Sequence, residues 1–306
     1  MRIQRRTRLA RRLRGTALAA VLGLSAIVVP DAAVHPTDVA LARIRHAEAV
    51  DVTPRVIWIL AVGSDARPGQ DMLRSRGDAL QLVGINTRTH AAVALGVPRD
   101  SWVPIPGYGM EKINAALYFG GPRTMAAAMR DLTGIGADYV MVTRFPFFED
   151  MVDSIGGIDV VNPRRFWDPD LKKEGFRAGR IHLGGYDAMA FSRIRKSLPG
   201  GDFDRSANQQ RILRGIHARI RAQADRPGFV ERGVMAVLRR TATDASPAEL
   251  FAIAQAVAQV EPRRITTCVI RGRIGSVGAQ SVVFPDRAQA RRLGAAARQD
   301  ATLRGC

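Results

Sequence analysis

Residues 79–97 read ALQLVGINTRTHAAVALGV. Two apolar runs of strand length, ALQLVGIN (79–86) and AAVALGV (91–97), flank the polar stretch 87–90, a pattern that predicts a β-hairpin. Strands joined this way run antiparallel, so a purely parallel sheet is excluded. Just upstream, VIWILAV (56–62) is a third apolar run, closed by Gly63-Ser64-Asp65. Downstream, INAALYF (113–119) and TMAAAMRDL (124–132) predict helices, YVMVT (139–143) a strand, and FFEDMVDSI (147–155) a helix stopped at Gly156-Gly157. GIDVV (157–161) predicts a strand ended by Pro163, and YDAMAFSRIRK (186–196) a helix. A long helix follows from Asp204 to about Ala224, with Asp204 or Ser206 as its N-cap. Further helices are expected near 229–241, 247–259 and 286–299, and strands at ITTCVIR (265–271) and SVVF (281–284). This alternation predicts an α/β fold, a mixed central β-sheet flanked by helices on both faces in an α/β/α sandwich.

The chain of 306 residues carries a formal net charge of +18. Seven arginines fall in the first fourteen residues, and the remainder is still strongly basic. Such a surface favours polyanions. The basic segment 1–15 precedes the uncharged run TALAAVLGLSAIVV (16–29). This pattern predicts a cytoplasmic basic tail over 1–15, a signal anchor or signal peptide over 16–34, a polar linker over 35–54 and a globular domain over 55–306. Export places the domain outside the cytoplasm, on the cell membrane or secreted if the segment is cleaved. There Cys268 and Cys306 could pair.

Much familiar chemistry is absent. The sequence has no P-loop, no G-x-S-x-G elbow and no H-E-x-x-H, and its five histidines are scattered. Four charged clusters lie at predicted strand ends or loops: Gly63-Ser64-Asp65-Ala66-Arg67; Asp78 after Arg74 and Arg76; Pro98-Arg99-Asp100; and SRIRKSLPGGDFDRSANQQR (192–211). Lys112 and Asn114 follow Pro106-Gly107-Tyr108-Gly109. Asp65 and Asp78 share one end of the sheet if their strands are antiparallel, and lie at opposite ends if a crossover makes them parallel. Together, two carboxylates hold a hard cation such as Mg²⁺, with phosphate oxygens completing its shell. Arginine forks match phosphate oxygens. Arg193 and Arg195 converge only if the helix ends between them, whereas Arg205 and Gln209 share a face at a helix N-terminus, which favours anions.

GSDAR (63–67), RSRGD (74–78), VPRDSWVPIPGYGMEKINAALYFGGP (97–122), FEDMVDSIGGIDVV (148–161), IHLGGYDAMAFSRIRK (181–196) and GGDFDRSANQQRIL (200–213) together resemble the LytR-CpsA-Psr family of cell-wall polymer transferases. The common Arg-Ser-Asp-Thr of that family reads Arg76-Gly77-Asp78-Ala79 here. The resemblance covers roughly 56–220, so the part from about 221 is expected to be a subfamily-specific portion of the same domain. It implies a phosphotransferase with Mg²⁺ as cofactor. The enzyme would move a glycopolymer from a polyprenyl-pyrophosphate carrier onto peptidoglycan through a phosphodiester. A side pyrophosphatase activity would differ only in using water as acceptor. Asp65 and Asp78 would take metal or base roles, with Asp65 or Asp202 as candidate base. Arg99, Lys112, Arg193, Arg195, Arg205 and Gln209 would hold the pyrophosphate, Arg99 and Arg193 also acting in catalysis. The lipid would lie in an apolar tunnel involving Leu117, Phe119, Met125, Met129, Phe145, Phe148, Met151 and Val152. The competing expectation is a membrane-tethered polyanion-binding regulator without catalysis. Paired aspartates speak against it and against a nucleic-acid partner, because they repel phosphate when no cation is present.

Overall fold

The computed structural model describes residues 38–44, 55–229 and 241–306. The segment 1–37, with the expected tail and anchor, and most of the helix expected near 229–241 lie outside them. No helix among the described residues is long and apolar enough to cross a membrane.

The central sheet contains β1 (Val39–Arg43), β2 (Val56–Ser64), β3 (Gly77–Asn86), β4 (Ala92–Gly96), β7 (Tyr139–Thr143), β12 (Thr241–Thr243) and β13 (Ile265–Val269). Their order is β12-β1-β7-β2-β3-β4-β13. The expected hairpin forms as β3 and β4, paired antiparallel from Gln81↔Gly96 to Ile85↔Ala92. β2 pairs antiparallel with β3 and parallel with β7, so the sheet is mixed. The β2–β3 register shifts between Gly63 and Ser64. One expectation is corrected here: the segment 35–54 is not simply a linker, because β1 pairs with β7 and β12 inside it. The apolar run of β1, residues 39–42, is cut short by Arg43 and holds two alanines among its four residues, a weaker strand signal than the five-residue YVMVT.

The remaining elements dress this sheet. They are the small strands β5 (Trp102–Ile105), β6 (Gly109–Lys112), β8 (Ile158–Asn162), β9 (Phe166–Asp168), β10 (Lys172–Phe176), β11 (Gly179–Leu183), β14 (Gly272–Val277) and β15 (Gln280–Pro285). The helices are α1 (Ala115–Thr133), α2 (Phe145–Ser154), α3 (Gly185–Arg193), α4 (Asp202–Arg221), α5 (Pro247–Gln259) and α6 (Arg287–Ala297). The two helices expected at 113–119 and 124–132 are the arms of α1, kinked at Gly121, whose φ of 68° precedes Pro122. There the chain needs a left-handed residue that a side chain would disfavour. The N-cap of α4 is Gly201, not Asp204 or Ser206; Asp204 instead accepts a bond from the Gly200 N–H at 3.0 Å.

Alternation along β2 sorts its side chains to two faces. Trp58, Leu60 and Val62 pack with Leu80, Leu82, Val93 and Leu95 beneath α1 and α6. Ile57 and Ile59 pack with Ile85, Ala92 and Tyr139 against Leu250, Ala256 and Val260. The second of these faces is covered by α5 and α4. Gly96 sets the approach of α4, since a Cβ there would stand 2.4 Å from Ser206 Oγ. A separate apolar cluster joins α2, α3, α4 and β8–β11 around Phe166, Phe176 and Phe191, whose rings meet at centroid distances of 5.0–5.3 Å.

Cys268, buried in β13, is joined to Cys306, with Cα atoms 5.4 Å apart. With a sequence separation of 38, the chain-entropy model gives such a loop about 4 kcal/mol. Cys306→Ser is expected to lower the denaturation midpoint accordingly. Thiol titration of unfolded, unreduced wild type should find no free thiol; two would exclude the bridge.

Candidate active site

Antiparallel pairing of β2 with β3 settles the position of the aspartates: the end of β2 and the start of β3 lie at one edge of the sheet. The backbone then ties four segments together there. Asp65 N–H donates to the Arg76 carbonyl at 2.9 Å, Gly77 N–H to that of Asn114 at 3.1 Å, and Asn114 N–H to that of Arg99 at 3.2 Å. β4, antiparallel to β3, delivers Arg99 and Asp100 to the same edge. From the facing layer, α3 ends at Arg193 with Ile194 already extended. The helix therefore stops between Arg193 and Arg195, as their convergence requires.

Ion pairs knit the set. Arg99 pairs with Asp78, Arg193 lies 3.6 Å from Asp65, and Arg205 Nη2 lies 2.5 Å from Asp202 Oδ1. Asp100 gathers three cations, with Arg195 at 3.3 Å, Lys112 at 3.6 Å and Arg99 at 3.9 Å. The Arg193 guanidinium also sits 4.3 Å from the centre of the Phe145 ring. Gln209 donates to the Ser192 carbonyl at 3.3 Å and accepts from Gln81 at 3.1 Å, which fixes its amide between sheet and helix. The structure thus brings Asp65, Asp78, Arg99, Lys112, Arg193, Arg195, Asp202, Arg205 and Gln209 to one place.

Charge and burial set the protonation tendencies. Burial, then the neighbouring Asp78, push the Asp65 carboxyl up, against the pull of Arg193, Arg99 and Arg67. Burial depresses Arg205, with Asp202 opposing it. For Arg99 burial acts downward, but the charge and hydrogen bond of Asp78, with Asp100 and Asp202, outweigh it and raise the guanidinium. Asp202 Oδ2 and Arg99 Nε are buried without a hydrogen-bond partner among the described residues, while Asp202 Oδ1 is held by Arg205. Orphaned groups of both signs in one cleft are what a missing phosphate and its counter-cation would leave. The donor set fits Mg²⁺, which favours one or two carboxylates plus phosphate and water oxygens over an all-protein cage.

Sequence reading assigned no role to Asp100 or Gln81. Asp100 carries a signal in Pro98-Arg99-Asp100 at a strand end. Gln81 is a polar residue within an apolar run, buried at 2% exposure. The expected tunnel lining is not brought together. Leu117, Met125 and Met129 are fully buried beneath the first sheet face, with Phe119 packed beside them, while Phe148, Met151 and Val152 belong to the separate α2–α4 cluster. Phe145 instead sits under Arg193. The second sheet face, however, carries a half-buried apolar strip starting at the aspartates. There Gly63 pairs with Ala79 and Thr143, Ala61 with Met141 and with the buried Gln81, which is the polar break in the row, and the buried Ile59 with Val83. Ile253 and Val257 of α5 are half-buried against the same cluster. Two cavities, one beside Arg221 and Gln255 and one between Arg43, Arg123 and Asp244, contain none of the site residues.

A family model described as the LytR_cpsA_psr family matches residues 31–299. The chain belongs to the LytR-CpsA-Psr family. Among its relatives, the polyisoprenyl-teichoic acid–peptidoglycan teichoic acid transferase TagU of Bacillus anthracis (strain CDC 684 / NRRL 3495) is 34% identical over 163 residues, 52% of this chain and 51% of that protein. TagU of Bacillus licheniformis is 33% identical over 159 residues, 52% and 50% respectively. The match spans about half the length of these curated relatives. Among solved structures, B. subtilis TagV superposes with a TM-score of 0.66 at 24% identity, covering 82% of this chain and all of that one. TagT with bound octaprenyl pyrophosphate lipid gives 0.63 at 19%, covering 84% and 95%. At these identities the structures establish a shared fold.

Proposed function

We propose that this LytR-CpsA-Psr protein is a phosphotransferase that moves a glycopolymer from a polyprenyl-pyrophosphate carrier onto peptidoglycan through a phosphodiester. One observation carries the reading: four aspartates interleaved with five arginine and lysine side chains stand at a sheet edge from which an apolar strip runs inward. The arginines offer forks for a pyrophosphate, and the strip offers a dry path for a prenyl chain. The relatives named as teichoic acid transferases and the lipid-bound fold neighbour support this assignment.

Asp65 and Asp78 would hold Mg²⁺, which supplies Lewis-acid polarisation of phosphoryl oxygens when bound. The chain's own groups do the rest. Arg99, Arg193, Arg195, Lys112 and Arg205 bind and orient the diphosphate and face the charge that grows on its oxygens. Gln209 positions it by hydrogen bonding. Asp65, or Asp202 as the alternative base, takes the proton of the attacking sugar hydroxyl as its oxygen bonds to the phosphorus that carries the glycopolymer; the bridging P–O bond breaks and polyprenyl phosphate leaves. Water in place of that hydroxyl gives a side pyrophosphatase activity. The domain works outside the cytoplasm, held at the membrane by the segment 16–34.

The test is turnover of farnesyl pyrophosphate by the purified protein. Phosphate release is expected with Mg²⁺, background release after chelation with EDTA, and recovery on adding Mg²⁺ back. Metal-independent turnover would remove the cation from the reading. If turnover is absent under every condition, and nucleic-acid affinity falls steeply with salt, the protein is a polyanion-binding regulator.

A further inference from the structure

The β5–β6 hairpin projects from the site on the sheet face opposite the apolar strip. Its register pairs Trp102 with Lys112 and Pro104 with Met110, and Val103 with Glu111 and Ile105 with Gly109. Val103 and Ile105 are buried in the core beneath α1. The other side of the hairpin therefore presents Trp102, Pro104 and Met110 outward, in line with Lys112. In its turn, the Tyr108 ring stacks on Phe119 at 4.9 Å and nearly parallel, and Tyr118 meets Phe119 edge-on at 5.6 Å. Tyr118 and Tyr108 are 58% and 50% exposed, so these three rings form an open cluster rather than one stray side chain, with Met110 of the hairpin, two residues from Tyr108, 50% exposed.

The patch is built. Tyr108 Oη donates to the Phe119 carbonyl at 3.0 Å, and Arg74 donates to the same oxygen at 2.8 Å. A ring fixed at both ends costs little further entropy when a ligand covers it. The patch is also continuous with the charged cluster, because Lys112 at the inner end of β6 lies 3.6 Å from Asp100.

We propose that Tyr108, Tyr118, Phe119 and the outer face of β5–β6 form a sugar-stacking platform that receives a ring of the acceptor glycan. This rests on the transferase reading. Rigid flat rings with hydroxyl-bearing edges suit the apolar face and hydroxyl rim of a pyranose. The sidedness agrees with the chemistry: the attacking and leaving oxygens of phosphoryl transfer lie roughly in line. The lipid strip occupies one face of the sheet, the platform projects from the other, and the charged cluster sits between.

The test titrates the full chain with a peptidoglycan tetrasaccharide, followed by calorimetry. Wild type is expected to bind, and Tyr118→Ala and Tyr108→Ala each to bind about tenfold more weakly, with Tyr118→Phe restoring the affinity. Tyr118 is exposed, and equal unfolding midpoints for wild type and the Tyr118 variants would show that the fold is kept. Wild-type affinity in both alanine variants, or no binding by wild type, overturns the platform. So does loss of binding to phosphatidylglycerol vesicles on Tyr118→Ala with tetrasaccharide affinity retained. Mg²⁺-dependent release of farnesyl phosphate from farnesyl pyrophosphate by wild type in the presence of the tetrasaccharide, measured alongside, reports on the transferase reading alone: its absence refutes that reading, while the titration still judges the platform.

Discussion

Arg193→Ala is expected to lower the rate of phosphoryl transfer by about 10²–10³, the typical loss when one preorganised donor is removed from a charge-stabilising site. The residue is placed for this effect. It terminates α3, stands 3.6 Å from Asp65 and rests 4.3 Å from the centre of the Phe145 ring. Neither contact holds the fold together, since a half-exposed ion pair contributes about 0–1 kcal/mol and a cation–π contact at such a site about 0.5–1 kcal/mol. The loss should therefore appear in turnover with little change in the unfolding midpoint. Arg193→Lys should recover only part of the rate, because an ammonium lacks the planar fork. Wild-type turnover in the alanine variant would take Arg193 out of the chemistry.

The second large effect is on stability. Asp202 and Arg205 are both buried, one turn apart at the start of α4. Removing one partner of a buried pair leaves an uncompensated charge and costs about 3–5 kcal/mol. Asp202→Ala is expected to lose that much in denaturant unfolding, and Asp202→Ala/Arg205→Met to regain most of it, since an apolar pair of similar size is tolerated. If Asp202→Ala instead unfolds like wild type yet loses turnover, the carboxylate belongs to the reaction and not to the fold. Because its Oδ2 lacks a hydrogen bond, bound Mg²⁺ and pyrophosphate should protect wild type more than the variant.

The two outcomes separate what the sequence made legible from what it hid. The hairpin at 79–97 was readable because two apolar runs and a polar turn allow one solution, and it fixed the sheet as mixed. The charged cluster was readable residue by residue, but its assembly depended on the direction of β2 against β3, which spacing left open. Weak elements escaped: β1 is alanine-rich and interrupted by Arg43, and β9 spans three residues, too few for a period to register. The tunnel candidates misled for a different reason. Leu117, Met125 and Met129 are large and apolar, so core packing and a ligand wall give the same signature. The strip that runs from the aspartates is floored largely by Ala61, Ala79 and Gly63, which draw no attention in a sequence because small side chains fit anywhere.

The shifted register where β2 meets β3 carries an evolutionary consequence. Within the paired stretch, adding or losing one residue would exchange the Trp58, Leu60 and Val62 set with the Ile57 and Ile59 set between two differently packed faces, so length there is frozen. Between Ser64 and Gly77 no such bookkeeping applies, and chain entropy makes longer loops cheap. That segment is where related chains are free to grow or shorten while Asp65 and Asp78 keep their places beside the paired strands.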